Sequence, residues 1–169
     1  MNLAELAATR RTHKAFRPEP VPRETLMQLF DVARLAPNHH LTQPWRFRVL
    51  GPETLARLEE CAGPAEAVKL RRAPTLVLAT AVLVGDLIQD EEDVCATAAA
   101  ITLVLLAATE LGLASYWRTP GILRTARGRE AAGVPAGERV LGLLHFGPPA
   151  REPAPRERAP VDAYVDFLP

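Results

Sequence analysis

The sequence predicts an α+β domain of three layers, with a small central sheet, mixed or antiparallel, flanked by helices. Three observations predict it. Apolar residues recur at helical spacing over residues 26–36, an unbroken β-favouring run fills residues 75–84, and helical and strand patterns then alternate to residue 147. At 169 residues, 48% of them hydrophobic and 24% charged, the chain has the size and composition of one globular domain with one ordinary core.

The elements follow in order. Residues 2–9 form a short helix that ends at a basic cluster. Pro18, Pro20 and Pro22 keep residues 16–22 extended. Leu26, Leu29, Phe30, Val32, Ala33 and Ala36 then mark a helix that Pro37 ends, and "PNHHLTQP" is a loop. In "WRFRVL" Trp45, Phe47 and Val49 alternate with Arg46 and Arg48, the pattern of a half-buried strand. Pro52 opens the next helix and Gly63 closes it, with a second short helix over residues 65–72. The run at 75–84 suits a central strand. A long helix covers residues 91–111 and stops at Gly112, with Asp90, Glu91, Glu92 and Asp93 at its positive end. "LASYW" is a short strand, residues 122–133 a helix or helical turn with a basic face, and "ERVLGLLHFG" a buried strand. There is no internal repeat.

Two features reach beyond a single chain. Residues 94–109 carry no charge, fewer than the roughly 20 apolar residues a membrane span needs. A helix apolar all round is a buried one, so this helix is expected to pack on its own sheet and on a second subunit. Beyond residue 150 the chain changes character. "PPAREPAPRERAP" holds five prolines and is an extended arm, and it leads to Val161, Tyr164, Val165, Phe167 and Leu168, which need burial. Such an arm docks on something distant, for instance the partner's sheet edge.

Charge excludes some classes. Twenty basic and twenty acidic side chains balance, which gives no general reason to expect nucleic acid or an anionic membrane as partner. Cys61 and Cys95 lack metal-like spacing and no secretory leader is apparent, so both thiols are read as small buried residues in a reducing cytoplasm. No Gly-rich dinucleotide fingerprint, phosphate loop, nucleophile elbow or paired-cysteine centre occurs. Adjacent His39 and His40 chelate one ion poorly, so no metal site is expected.

The basic cluster has two readings. Arg10, Arg11, Thr12, His13 and Lys14 follow a short helix, whose negative end favours cations. Two guanidinium forks, a hydroxyl and an ammonium also converge as donors for a phosphate. Both readings stand on the residues alone.

Three segments together resemble the nitroreductase family of FMN-dependent oxidoreductases, most closely its short single-domain branch. They are "RRTHKAF" with the helix, "AP", loop and "QPW" that follow, then "LGLASYWRT", then "RVLGLLHFG". The resemblance implies an FMN-binding domain over residues 1–150 and an extended C-terminal arm over 151–169 that a dimer can exchange. It implies a homodimer with FMN at the interface, held by Arg10, Arg11 and Thr12 with Lys14 as helper. His39 would reach the flavin of the other subunit, and Trp117, Arg118 and Thr119 would lie along the flavin ring and ribityl chain. His13 is left as a surface or spacer residue, Gln43 as a loop-fixing one and Trp45 as core. Position 35 departs from the pattern: the short branch can present a basic residue there, and this chain has Leu35. Phosphate neutralisation would then fall to the N-terminal pair or to Arg156 or Arg158.

The implied activity is hydride transfer from NAD(P)H to FMN, then ping-pong reduction of a nitroaromatic, quinone or similar small electrophile. No side chain is required as catalytic acid or base, since the flavin does the difficult step. The alternative is a dimeric FMN-binding protein with a specialised role (dehalogenation, enone or aldehyde reduction, flavin handling) or none as a reductase.

Overall fold

The computed structural model describes residues 2–169. Helix α1, Leu3–Thr9, is capped by Asn2 and Glu5 in a reciprocal capping box. Helix α2 spans Arg23–Ala33, strand β1 Trp45–Val49, helix α3 Pro52–Cys61 and helix α4 Pro64–Leu70. Strand β2, Thr75–Val82, leads to the long helix α5, Leu87–Glu110, and strand β3, Ala114–Arg118. A 3₁₀ turn at Gly121–Arg124, helix α6 at Ala126–Ala131 and strand β4 at Glu138–Gly147 complete the folded body.

The four strands lie in the order β1-β2-β4-β3, every pairing antiparallel, which settles the choice between a mixed and an antiparallel sheet. Alternation along the strands sends side chains into two cores. Val77, Ala79 and Ala81 of β2 face α2 and α5, where Leu29, Ala100, Ile101 and Val104 are fully buried. Leu76 and Leu78 face the opposite way, onto Leu58 of α3, Leu70 of α4 and the segment around α6. Each fully buried aliphatic side chain contributes about 1.5–3 kcal/mol.

Helix α5 starts four residues earlier than the sequence suggests. Asp86 caps it through Ile88 and Gln89, while Asp90 accepts from the backbone of Val84 and Gly85. The acids at 90–93 therefore belong to its first turns. Its 24 residues are long and apolar enough to cross a bilayer, but half of its most apolar stretch is buried and it touches all four strands, α1 and α2. It is the core helix of this fold. Gly112, at φ 71°, ends it where a left-handed residue is needed.

Two expectations need correction in the sheet and its thiols. Val49 is half exposed, while Arg48 is the half-buried residue, because its guanidinium grips Glu138 through two bonds of 2.7 Å and also reaches Thr80. Burial opposes the charge on Glu138, yet the hydrogen bonds from Arg48 and Thr80 outweigh it and hold the carboxyl below its ordinary pKa. Cys61 is only partly buried and Cys95 is exposed, on the face of α5 turned away from the sheet. Residues 95, 98, 99, 102, 103, 106 and 109 make that outer face, all of them partly or fully exposed.

Candidate functional site

Residues 12–17 cross the edge of the sheet as a strap. The backbone of Thr12 bridges Ser115 of β3, His13 N–H donates to the Ser115 carbonyl, and Arg17 N–H to Pro148. Ala150 N–H returns to the Ala15 carbonyl, so the start of the C-terminal segment is tied to the basic cluster. The consequence is a cleft of about 830 Å³ lined by Arg10, Arg11, Thr12, His13 and Lys14 on one side and by Arg151, Glu152, Arg156 and Arg158 on the other.

The cluster resolves into two parts. Arg11 donates to the carbonyls of Ala8 and Arg10, so its guanidinium closes the end of α1 as the helix-end reading expects. Arg10, Lys14 and the three arginines of the arm supply the anion-binding reading. Burial, then the neighbouring charges of Arg158 and Arg11, press the Arg10 pKa below its ordinary value. Guanidiniums that repel one another in a cleft with one carboxylate fit an anionic ligand. Arg156 and Arg158, raised from sequence as substitutes for a basic residue at position 35, both reach the cleft.

His13 is not a surface spacer. It is buried, its Nδ1 finds no protein partner, and burial holds its pKa low against the opposing pull of Glu152 and the Arg151 backbone.

A smaller hollow of about 310 Å³ joins Arg10 and Thr12 to Thr102 and Leu105 of α5 and to Ser115 and Trp117 of β3. Trp117 thus shares this hollow with Arg10 and Thr12 of the N-terminal cluster. Its indole Nε1 donates to the Leu141 carbonyl at 3.0 Å. Leu141 is the extra residue of a β-bulge, since Ala79 pairs with Gly142 and Thr80 with Val140, which frees its carbonyl. Gly142 provides the seat: a Cβ there would strike the indole ring. Sequence reasoning missed Gly142; a glycine inside an apolar strand run was the available signal.

Arg118 goes elsewhere. Strand alternation turns its side chain to the sheet face opposite Trp117, where it pairs with Glu66 of α4 at 2.7 Å and lies near His145. Its placement contradicts a side-chain role in the same hollow as Trp117. Thr119, exposed beyond β3, borders a different hollow, with Arg124, Arg129 and Arg139.

His39 and its loop stand apart from the cluster within one chain. The loop forms a 3₁₀ turn, His39–Leu41, with His40, Leu41 and Gln43 all at positive φ. It is fastened to the first turns of α5 by His39 Nδ1 to Glu92 at 2.8 Å and by Thr42 to buried Asp93. Thr102, beside Arg10 and Thr12, is ten residues further along, about 15 Å at a helical rise of 1.5 Å per residue. Asn38 Oδ1 accepts from the Gln43 backbone, so the side chain of Asn38, rather than that of Gln43, shapes the loop. Trp45 packs against the core as expected. Arg34 is exposed and paired with Asp31, and Leu35 is 70% exposed.

Comparison with known proteins adds to this geometry. The family model described as "Nitroreductase family" matches residues 7–65 and 62–148. The chain is similar to "Putative NAD(P)H nitroreductase YfhC" of Bacillus subtilis, 26% identical over 175 residues that cover 94% of this chain and 90% of that protein. Among solved structures, a nitroreductase-like family protein from Bacillus cereus superposes with a TM-score of 0.90 at 23% identity, covering 99% and 96% of the two chains. A Desulfovibrio desulfuricans protein crystallised in complex with FMN gives 0.85 at 23% identity, covering 100% and 98%.

Proposed function

The chain belongs to the nitroreductase family, and from that premise we propose that it is an FMN-dependent NAD(P)H oxidoreductase acting as a homodimer. The observation that carries the reading is the cleft in which Arg10 and Lys14 face Arg151, Arg156 and Arg158. Its donor set suits a phosphate monoester, and each charge-assisted hydrogen bond is worth about 1.5–3 kcal/mol. Arg10, Thr12, Lys14 and the arm arginines would hold the phosphate, with Arg11 setting the end of α1 beneath them. Trp117 would border the ring side through the smaller hollow that Arg10 and Thr12 share. Bound FMN supplies the N5 atom that takes a hydride from NAD(P)H and the electron pair that a nitroaromatic, quinone or related acceptor receives.

The chain's own part is to bind, orient and exclude water. No side chain is assigned as acid or base. The separation of His39 from Arg10 within one chain favours a site completed across two subunits, His39 of one approaching the flavin held by the other. The outer face of α5 would be the shared surface, and the arm at residues 151–169, whose Val161, Tyr164, Phe167 and Leu168 are exposed, would lie across the partner. A cytoplasmic location accords with two free cysteines.

Anaerobic mixing of the flavin-loaded protein with NADPH or NADH tests the activity: the 450 nm band bleaches and a nitroaromatic restores it. Flavin that stays yellow favours the binding-protein alternative, and protein without affinity for FMN rejects both. For the site, Arg10→Ala is expected to weaken FMN binding about 10–100-fold, the loss of one charge-assisted contact. Arg34→Ala, altering an exposed pair with Asp31, leaves it unchanged. Equal affinity in the two variants would remove Arg10 from the site.

A further inference from the structure

Trp117 lines one hollow and its indole bonds to a wall of another. The first also holds Arg10, Thr12 and Ser115; the second, lined by the Leu141 whose carbonyl the indole grips, is a hollow of about 430 Å³. Nothing in the flavin reading uses this second space. Three guanidiniums line it, those of Arg124, Arg129 and Arg139, and no carboxylate does. The nearest acid in sequence, Glu138, is buried and turned to Arg48 and Thr80.

The three arginines are not equivalent. Arg129 Nη2 donates to the carbonyls of Pro135 and Glu138 at 3.1 and 2.7 Å, so it holds the turn between α6 and β4. Arg124 and Arg139 are exposed and, among the described residues, enter no hydrogen bond or ion pair. The position of Arg124 is nonetheless built. Gly128 packs so closely on the Ile122 carbonyl that a Cβ could not fit, which presses α6 onto the turn carrying Arg124. Val94, Leu123 and Leu141 supply an apolar floor.

We propose that this hollow takes the 2′-phosphorylated adenosine end of NADPH, so that the 2′-phosphate selects NADPH over NADH; the inference rests on the flavin reading above. An apolar floor suits a flat purine, and the volume is that of a small-molecule site. Two unpaired guanidinium forks match a phosphate dianion, whereas a 2′-hydroxyl leaves both without a counter-charge. The place is consistent with a shared reaction, because Thr119, on its rim, is two residues from Trp117 in the cofactor hollow.

The test is calorimetric titration of the flavin-loaded, full-length protein with adenosine 2′,5′-bisphosphate and, separately, adenosine 5′-monophosphate. The bisphosphate is expected to bind at least about tenfold more tightly. In Arg124→Ser/Arg139→Ser the preference falls to within about twofold, with FMN content unchanged. Equal binding of the two nucleotides by the wild type overturns the proposal, as does a preference that survives in the double variant. If the double variant misfolds by circular dichroism, Arg124→Gln, a change at an exposed position, replaces it with the same expectation in weaker form. Flavin absorbance on the same samples separates the two readings. Protein that holds no FMN but keeps an Arg124- and Arg139-dependent preference defeats the flavin reading alone, and yellow protein indifferent to the bisphosphate defeats this one alone.

Discussion

Gly142 shows how one missing side chain serves a site. The Trp117 indole lies where its Cβ would be, and the freed carbonyl of neighbouring Leu141 holds the ring in place. Gly142→Ala is therefore expected to rotate Trp117 into the cofactor hollow, seen as a change in tryptophan fluorescence together with weaker flavin binding. An unchanged spectrum would show that the ring has another seat. His145 makes a different residue-scale case. It is fully buried beside Tyr116, neither ring nitrogen has a protein partner, and burial followed by the charges of Arg118 and Arg72 pushes its pKa down to about 3. The folded state keeps the ring neutral while the unfolded chain protonates it near its ordinary pKa of about 6.5. Between those values the unfolded state binds more protons, so this stability is complete above about pH 6.5 and is lost as pH falls, by about 2 kcal/mol at pH 5. His145→Leu is expected to flatten the fall in urea midpoint between pH 7 and 5; an identical fall in the variant would assign it to other groups.

At the scale of elements, the strap at residues 12–17 and the segment after β4 act as one unit, since Arg17 and Ala150 cross-bond them and the arm's arginines complete the basic cleft. Deleting residues 151–169 removes Arg151, Arg156 and Arg158 but no strand or buried core residue. The truncated protein is expected to keep its circular dichroism while losing at least about tenfold in FMN affinity and much of the salt dependence of binding. Retained affinity would leave the phosphate to the N-terminal residues alone. Element periodicity was legible in the sequence: β4 has the limits that its apolar run and flanking turns imply, and α2 buries the expected Leu26, Leu29 and Ala33. The failures have a physical cause. Arg48 belongs in the sheet because Glu138, distant in sequence, meets it, and α5 begins ahead of its acids, at the Asp86 cap, with Glu92 and Asp93 free to fasten the His39–Thr42 loop.

For the whole molecule, the outer face of α5 carries small and apolar residues that a single chain leaves partly exposed, and the candidate site residues lie toward its two ends. Sedimentation is expected to give about twice the chain mass of 18.4 kDa. Cys95→Glu, which places a carboxylate at an exposed position of that face, is expected to yield a monomer that loses flavin; a dimer that persists would move the interface elsewhere.

The basic residues before the strap, the α+β pattern and the character of the arm were determined by sequence, because local periodicity, proline content and charge are properties of neighbours along the chain. Tertiary structure decided which basic residues share a cleft, that Arg118 faces away from Trp117 toward Glu66, that His13 is buried, and that a second basic hollow is lined by Leu141, to which the indole bonds. Strand alternation, a single bulge and a crossing strap set those placements, and each depends on groups brought together only when the sheet forms.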